Sequence, residues 1–276
     1  MSPGGTGTLR LTKHEGAGND FLVLLDASDA VQLSDAEVRS LCDRHRGVGA
    51  DGVIRVGPGN GRADLSMELH NADGGLAETS GNGLRCLAQA AVDAGLVSAP
   101  RFTVATGAGV SRVDYEPTGL PGSARATIDM GPVRLVGPAT TDPAGRPSQR
   151  VDTGNPHLVV RCDDPGAIDL AAVGPELAAG FPDGINVEFI TVGPGEDEIT
   201  MRVWERGVGE TWACGSGSCA AVAAAHAWGL VGTSVSVRNP GGTLEVALGE
   251  KDGDPVLLGG PVRRVADVVV DRSVLA

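Results

Sequence analysis

The sequence predicts an α/β (α+β) fold of two pseudo-symmetric halves, each a curved, mostly antiparallel sheet wrapped around a central helix. A short motif occurs twice, as Ser-Gly-Asn-Gly at 80–83 and Cys-Gly-Ser-Gly at 214–217, and each copy runs into an apolar helical segment. Strand-like runs bounded by glycine, proline, asparagine or aspartate surround both segments. The composition, with 42 glycines and 3% aromatic residues, fits short strands and tight turns better than a helical bundle.

In the first half, residues that are β-branched or alternate in polarity predict strands. These strands cover 21–25, 52–56, 65–69, 102–105 and 124–128. A helix is predicted over 34–44, and the central helix over 84–96. In that central segment Leu84, Leu87, Ala91 and Leu96 mark one helical face.

The second half repeats this style. Strands are predicted over 157–160, 185–190, 199–204 and 234–238, and the central helix over 218–230. That helix is nearly all alanine with Val222, so we expect it to be buried. The proline- and glycine-rich segment 130–150 reads as a linker or crossover. We therefore expect an N-terminal half at 9–132 and a C-terminal half at 133–276, whose last strand is a candidate to return to the N-terminal half.

Charge and cysteine content limit the function classes. The net charge is −13, which argues against nucleic acid or an anionic membrane as a partner. No apolar run is long enough to span a bilayer, and the N-terminus lacks the blocks of a signal peptide. An odd number of cysteines, five, without dense spacing predicts a reduced, cytoplasmic protein. A small molecule remains the expected partner.

The repeated motif places a small nucleophilic side chain at the start of each central helix. Glycines there permit a tight turn, and the free N–H groups of the first helical turn stabilise an anion. The pKa of the Cys214 thiol is therefore expected to fall towards neutrality. Two such sites suit a reaction that removes a proton from one face of a carbon and returns it to the other. Here one site has Cys214 and the other has Ser80.

Five asparagines lie beside glycine, proline or predicted strand ends. They are Asn19, Asn71, Asn82, Asn155 and Asn186. Neutral amides at strand ends can bind both the carboxylate and the ammonium group of a zwitterion. Asparagine is equally a common turn residue, so both interpretations stay open.

Three further polar residues are candidates for the site. Glu205 and Arg206 follow a predicted strand, where Arg206 can bind a substrate carboxylate and Glu205 an ammonium; a structural salt bridge is the alternative. His157 begins a strand and is either structural or catalytic. The other four cysteines fit small core positions. The spacing shows no zinc motif, phosphate loop or dinucleotide fingerprint, so neither a metal nor a cofactor is expected.

Taken together, these segments closely resemble the diaminopimelate epimerase family. The matching motifs cover 13–21, 47–52, 71–74, 80–86, 154–157 and 205–217. The resemblance implies a cofactor-independent, PLP-independent enzyme that converts LL-diaminopimelate to meso-diaminopimelate for lysine and peptidoglycan precursors. It also implies that the active site lies in the cleft between the two halves.

In that family, both helix-start residues are cysteines that exchange the roles of base and acid. This chain has Ser80 at one position and Cys214 at the other, and the resemblance makes His157 and Glu205 supporting residues. It assigns substrate binding to Asn19, Asn71, Gly81, Asn82, Asn155, Asn186, Glu205, Arg206, Gly215 and Ser216. The family also implies a homodimer, although its dimerising tyrosine has no counterpart here, since Tyr115 is the only tyrosine.

Ser80 leaves alternatives open, because an alcohol is a far weaker acid than a thiol and needs a separate base. One alternative is a one-base dehydratase or isomerase of an amino acid on the same scaffold. Another is a catalytically impaired form that only binds its ligand. The intact set of binding residues favours the epimerase.

Overall fold

The computed structural model describes residues 7–98 and 100–275 and divides the chain into two compact units. Unit 1 comprises the residues up to Ile128 together with those from Pro261 onward. Unit 2 comprises Asp129–Gly260. The halves expected from the sequence, 9–132 and 133–276, stay a prediction about independent domains.

Unit 1 contains a sheet, a short helix and a longer one. Its strands are β1 (Thr8–Gly16), β2 (Asn19–Leu25), β3 (Gly52–Pro58), β4 (Leu65–Asn71), β5 (Leu76–Ala77), β6 (Arg101–Thr106), β7 (Gly109–Pro117) and β8 (Ser123–Pro132), the last of which ends in unit 2. Its helices are α1 (Asp35–Cys42) and α2 (Gly81–Asp93). The pairs β2–β3 and β4–β6 are parallel, whereas β1–β2, β3–β4, β4–β5, β6–β7 and β7–β8 are antiparallel.

Unit 2 has the same kinds of element. Its strands are β9 (Arg134–Leu135), β10 (Thr140–Thr141), β11 (Pro147–Asp152), β12 (Pro156–Arg161), β13 (Asn186–Val192), β14 (Glu198–Glu205), β15 (Gly209–Thr211), β16 (Ser234–Asn239), β17 (Gly242–Ala247) and the first part of β18 (Pro255–Asp271). Its helices are α3 (Leu170–Ala178) and α4 (Gly215–Ala227). The pairs β12–β13 and β14–β16 are parallel, whereas β11–β12, β13–β14, β14–β15, β16–β17 and β17–β18 are antiparallel.

The two units therefore share one strand-pairing order, in which β1 to β8 correspond to β11 to β18. Helix α2 follows β5, and α4 follows β15. Ser80 is the N-cap of α2 and Cys214 is the N-cap of α4. The pairing order thus places these two residues at the same position of the repeat.

Each central helix is buried by strands of its own unit. Helix α2 packs against β1, β2, β3 and β7, and α4 packs against β11, β12, β13, β14 and β17. Alanine and glycine dominate α4, so the helix can approach the surrounding strands on most sides. Across 7–98 and 100–275, every helix is too short or too polar to cross a bilayer.

The predicted mixed fold with central helices is confirmed, and its boundaries need correction. Helices α2 and α4 begin three residues earlier than 84 and 218, because the glycine motif forms their first turns. Helix α3 was not predicted, and neither were several strands, including β1, β7, β11 and β17. The segment 130–150 is more than a linker, since β9 and β10 both pair with β11.

Helix α1 is tied to the C-terminal part of unit 1. Ser34 and Glu37 form a capping box, in which each side chain binds the other residue's backbone N–H. The guanidinium of Arg272 donates to both carboxylate oxygens of Glu37, one of them at 3.1 Å. This ion pair lowers the pKa of Glu37 to about 2, against the opposing effect of burial.

Replacing Glu37 by glutamine should make stability less dependent on pH. The pKa of Glu37 is lower in the folded protein, so its contribution is present above its ordinary pKa of about 4.5 and is lost as the pH falls towards about 2. At neutral pH we expect Glu37→Gln to lower the free energy of unfolding by about 2 kcal/mol, allowing for the partial exposure of the pair. Urea titrations over this pH range measure the difference, and a constant difference at every pH would contradict the assignment.

Candidate active site

Cys214 is held at the buried N-terminus of α4. Its backbone is extended, and its Sγ accepts a hydrogen bond from the backbone N–H of Gly217 at 3.3 Å. The Oγ of Ser216 lies 3.5 Å from the same sulfur. The residue is only 6% exposed, so the sulfur is largely withdrawn from bulk water.

Ionisable side chains surround this sulfur within unit 2. The carboxylate of Glu205 lies close enough to Cys214 for the two groups to interact, and it accepts a hydrogen bond from the Thr211 hydroxyl. His157 lies on β12, with its Nδ1 2.6 Å from Oε1 of Glu188 and its Nε2 3.1 Å from Oδ1 of Asn155. His157 and Glu188 are both fully buried.

The expected fall in the pKa of Cys214 is wrong. Burial raises this pKa well above the ordinary value, and the charges of Glu205 and Glu188 raise it further. Hydrogen bonds from Ser216 and the backbone of Gly217 act in the opposite direction but do not outweigh burial. Burial likewise raises the pKa of Glu205, which makes its carboxylate a better proton acceptor. Cys214 therefore rests as a thiol beside a carboxylate that can take its proton.

Ser80 occupies the corresponding cap in unit 1. Its Oγ accepts a hydrogen bond from the backbone N–H of Gly83 at 3.1 Å. Gly81 is the first residue of the helix, as Gly215 is in α4. The two caps are thus alike in backbone geometry, and they differ in the capping atom, which is Oγ in Ser80 and Sγ in Cys214.

A polar network extends from this helix to β2. The amide of Asn82 donates to Oδ1 of Asn19 at 3.2 Å, and Asn19 donates to Asp51 at 2.6 Å. The fully buried Arg85 donates to Oδ1 of Asn82 at 2.8 Å and to the carbonyl of Pro261 at 3.2 Å. Burial lowers the pKa of Arg85 to about 10. The network fixes the orientation of both asparagine amides.

Strand register shows how the two sites differ. Strands β2 and β3 of unit 1 correspond to β12 and β13 of unit 2. The first pair in register is Phe21–Gly52 in unit 1 and His157–Asn186 in unit 2. Two residues later, the pair is Val23–Ile54 in unit 1 and Val159–Glu188 in unit 2. Asn71 precedes Ser80 by the same number of residues as Glu205 precedes Cys214. The positions of His157, Glu188 and Glu205 in unit 2 are therefore held by Phe21, Ile54 and Asn71 in unit 1.

The space beside each helix confirms this equivalence. A Cβ on Gly217 would lie 2.7 Å from Oε1 of Glu188, whereas one on Gly83 would lie 3.1 Å from Cδ1 of Ile54. A carboxylate thus occupies in unit 2 the place that a methyl group occupies in unit 1. The ionisable groups of the repeat are concentrated beside Cys214.

The remaining sequence-predicted residues lie at or directly beside strand ends. In unit 1, Asn71 ends β4 and its backbone N–H donates to the carbonyl of Gly75 at 2.8 Å. In unit 2, Oδ1 of Asn186 accepts from the backbone N–H of Arg206 at 2.8 Å, which fixes the chain after Glu205. The guanidinium of Arg206 donates to the carbonyl of Asp183 at 2.9 Å.

Sequence reasoning missed Glu188. The signal was present, because Glu188 is the only charged residue in the run 185–190, which is apolar apart from Asn186 and forms most of β13. A charge on a strand that is buried on both faces needs a partner, and His157 on the neighbouring strand provides it.

The fold places the chain in a class of proteins that share this arrangement of strands and capped helices. A hydroxyproline epimerase from Agrobacterium vitis shares the fold with a TM-score of 0.72 and 18% identity, over 95% of this chain and 92% of that one. A PhzF-family phenazine biosynthesis protein from Bacillus anthracis does so with a TM-score of 0.73 and 16% identity, over 96% and 99% of the two chains.

Within this class the chain belongs to the diaminopimelate epimerase family, whose model matches residues 11–136 and 150–265. The diaminopimelate epimerase of Thermobifida fusca is 42% identical, over 97% of this chain and all (100%) of that protein. The diaminopimelate epimerase of Cyanothece sp. is 39% identical, over 94% and 98% of the two chains. The family resemblance found in the sequence is confirmed.

Gly217→Ala should be more damaging than Gly83→Ala. The new methyl group at Gly217 meets Glu188, which is buried and fixed by His157, whereas at Gly83 it meets the terminal atoms of Ile54 and Met67. We expect Gly217→Ala to lower the free energy of unfolding by about 1–3 kcal/mol. Gly83→Ala should stay within about 1 kcal/mol of the parent, because alanine's helix propensity offsets the contact.

Urea unfolding of both variants measures this difference. Equal losses of stability would show that Glu188 does not constrain the start of α4.

Proposed function

We propose that this protein epimerises LL-diaminopimelate to meso-diaminopimelate without pyridoxal phosphate, by removing and returning the proton on the α-carbon. The observation that carries the proposal is Cys214, a buried helix cap beside a carboxylate of raised pKa, in a chain of the diaminopimelate epimerase family. The substrate is a small amino acid, and the enzyme is an isomerase.

The geometry of unit 2 supports a specific role for Cys214. Its thiol passes its proton to Glu205, and the resulting thiolate, stabilised by the backbone N–H of Gly217, removes the α-proton of the substrate. His157 offsets part of the negative charge on Glu205, because its effect on the pKa of Glu205 opposes the larger effect of burial. Cys214 and Glu205 are the proposed acid–base pair, with His157 as their support.

Ser80 is the proposed partner for the opposite proton transfer. An alcohol can protonate a carbanion, because the carbanion is by far the stronger base, but it is a poor base unless another group activates it. The residues that correspond to His157, Glu188 and Glu205 are Phe21, Ile54 and Asn71, which cannot serve as general bases. Catalysis is therefore proposed to be favoured when Cys214 abstracts and Ser80 returns the proton.

The substrate-binding roles remain a proposal from the family resemblance, supported by the polar contacts around both caps. The proposed set is Asn19, Asn71, Gly81, Asn82, Asn155, Asn186, Glu205, Arg206, Gly215 and Ser216. We also propose a place in lysine and peptidoglycan precursor synthesis, a cytoplasmic location and a homodimer. Five free cysteines support the location, and the homodimer rests on the family resemblance, which a mass from light scattering tests.

Hydrogen exchange in deuterium oxide should be faster from one epimer than from the other. We expect LL- and meso-diaminopimelate, incubated separately, to exchange their α-hydrogens at unequal rates, because Glu205 neighbours Cys214, whereas Asn71 holds the equivalent position in unit 1. Cys214→Ala should abolish turnover and leave the fold intact. Mass spectrometry follows exchange, and chromatography follows the epimers.

The same experiment separates the alternatives. Formation of the other epimer supports the proposal. An elimination product indicates a one-base dehydratase, and one-sided exchange without epimer indicates a one-base reaction. Binding without either exchange or product indicates a protein that only binds its ligand.

Ser80→Cys should raise kcat by roughly a hundredfold, the range of one general acid–base group. A thiol at this cap can act in both directions, so the exchange rates of the two epimers should also become more equal. Sulfur caps a helix less well than a hydroxyl, and we expect a loss of stability of about 1 kcal/mol or less. An epimerase cannot be the correct assignment if Ser80→Cys folds, binds diaminopimelate and makes no epimer.

A further inference from the structure

Glu188 lies deep in unit 2 and contacts His157. Its Oε1 is 2.6 Å from Nδ1 of His157, and neither side chain is exposed. The other ring nitrogen, Nε2, is 3.1 Å from Oδ1 of Asn155, an oxygen that also accepts a hydrogen bond from the Thr153 hydroxyl at 2.9 Å. Both ring nitrogens of His157 therefore face acceptor oxygens.

This arrangement determines where the protons lie. Nε2 must carry a proton, because Nε2 and Oδ1 of Asn155 would otherwise oppose two lone pairs. Nδ1 and Oε1 of Glu188 then need one further proton between them, either on the ring or on the carboxyl group. In both cases the His157–Glu188 pair is neutral as a whole and the ring is fixed in one orientation.

Packing does not explain the carboxylate. Within the described residues, the second oxygen of Glu188, Oε2, is buried without a hydrogen-bond partner. Such a group costs stability. The equivalent position in unit 1 is Ile54, so an apolar side chain is compatible with the same strand and helix. A buried carboxylate kept at this cost points to a role in the site.

Glu188 also faces the other ionisable groups of the site. These groups are Cys214 at the cap of α4, Glu205 at the end of β14 and His157 on β12. The close approach of Oε1 to Gly217 holds the carboxylate against the first turn of α4. Glu188 therefore links the imidazole to the turn that caps the Cys214 sulfur.

We propose that Glu188 is a positioning residue for the epimerisation, which acts by fixing the orientation and protonation of His157 beside Cys214. The inference rests on the proposed function, because His157 matters only if Cys214 is the acid–base thiol. Glu188 does not contact the reacting atoms itself. Its removal should impair the chemical step more than substrate binding.

The variant Glu188→Gln keeps the size of the side chain and removes its charge. We expect kcat to fall by roughly a hundredfold while KM stays within about twofold. Glu188→Asp, which keeps the charge, should recover part of the loss. Glu245→Gln is the matched control, since Glu245 is exposed on β17 and hydrogen-bonds only Ser236 among the contacts that the described structure gives its side chain, and it should behave as the parent does.

Nuclear magnetic resonance provides a readout that does not need turnover. With ¹⁵N-labelled histidine, the parent should show a low-field Nδ1–H proton resonance from His157, assigned by its absence in His157→Gln. Glu188→Gln should lose this resonance or move it upfield, and Glu245→Gln should keep it. If Glu188 were purely structural, Glu188→Gln would lower stability and leave kcat of the folded protein unchanged.

The outcomes distinguish the two proposals. Glu188→Gln with the kcat of the parent overturns the role of Glu188, and so does a parent that shows no low-field resonance from a proton shared by Nδ1 of His157 and the Glu188 carboxyl group. A parent that shows the resonance but neither exchanges nor epimerises diaminopimelate overturns the proposed function instead. Should Glu188→Gln fail to fold, the resonance in the parent and the activity of Glu188→Asp still decide the question.

Discussion

The first turn of each central helix is buried, and the rest of the site depends on this constraint. Backbone N–H groups at a helix start have no partner within the helix, so a buried start requires an acceptor at the cap. Oγ of Ser80 and Sγ of Cys214 both meet this need, each accepting from the glycine three residues later. The fold therefore accepts either atom. Helix capping does not require one of them, so the reaction at the site can determine whether oxygen or sulfur is present.

The same burial reverses the simplest expectation for the thiol. A helix N-terminus favours an anion by about 0.3–1 kcal/mol, and by up to about 2 kcal/mol in partly buried geometries. Removing a charge from water costs several kcal/mol even after relaxation. Two carboxylates beside Cys214 add to that cost, so the raised pKa is the net result. In the proposed mechanism Glu205 accepts the proton when the thiolate forms, which couples the two groups.

Much of the fold was readable from the sequence, because strand alternation and the repeated motif are local signals. The nine predicted strands lie within or across β2, β3, β4, β6, β8, β12, β13, β14 and β16. Helix α3 was not predicted, because Gly174 and Pro175 interrupt its helical pattern. Gly174 is nevertheless needed there, since a Cβ at this position would lie 2.6 Å from the ring of Trp204. A last strand was expected, but the bounds of β18 were not predicted, because Gly259, Gly260 and Pro261 resemble a break in a strand.

The candidate site was less predictable, because burial and partnership are properties of the fold. The sequence identified Cys214 and Ser80 from their glycines, but it gave the wrong direction for the pKa of Cys214. Glu188 and His157 are far apart in sequence and meet only because β12 and β13 run parallel in one register. A pair of this kind becomes visible only once the strand order is known.

The shared strand order makes the difference between the units informative. Phe21 and Ile54 in unit 1 take the positions of His157 and Glu188 in unit 2, so an apolar core and a buried ionisable pair are interchangeable in this scaffold. Ile54 needs no partner, whereas Glu188 needs His157 and still leaves one oxygen unpaired. Since the apolar solution is available and demands less, the ionisable pair is explained by what lies next to it. That neighbour is the Cys214 thiol, whose proton moves in the proposed mechanism.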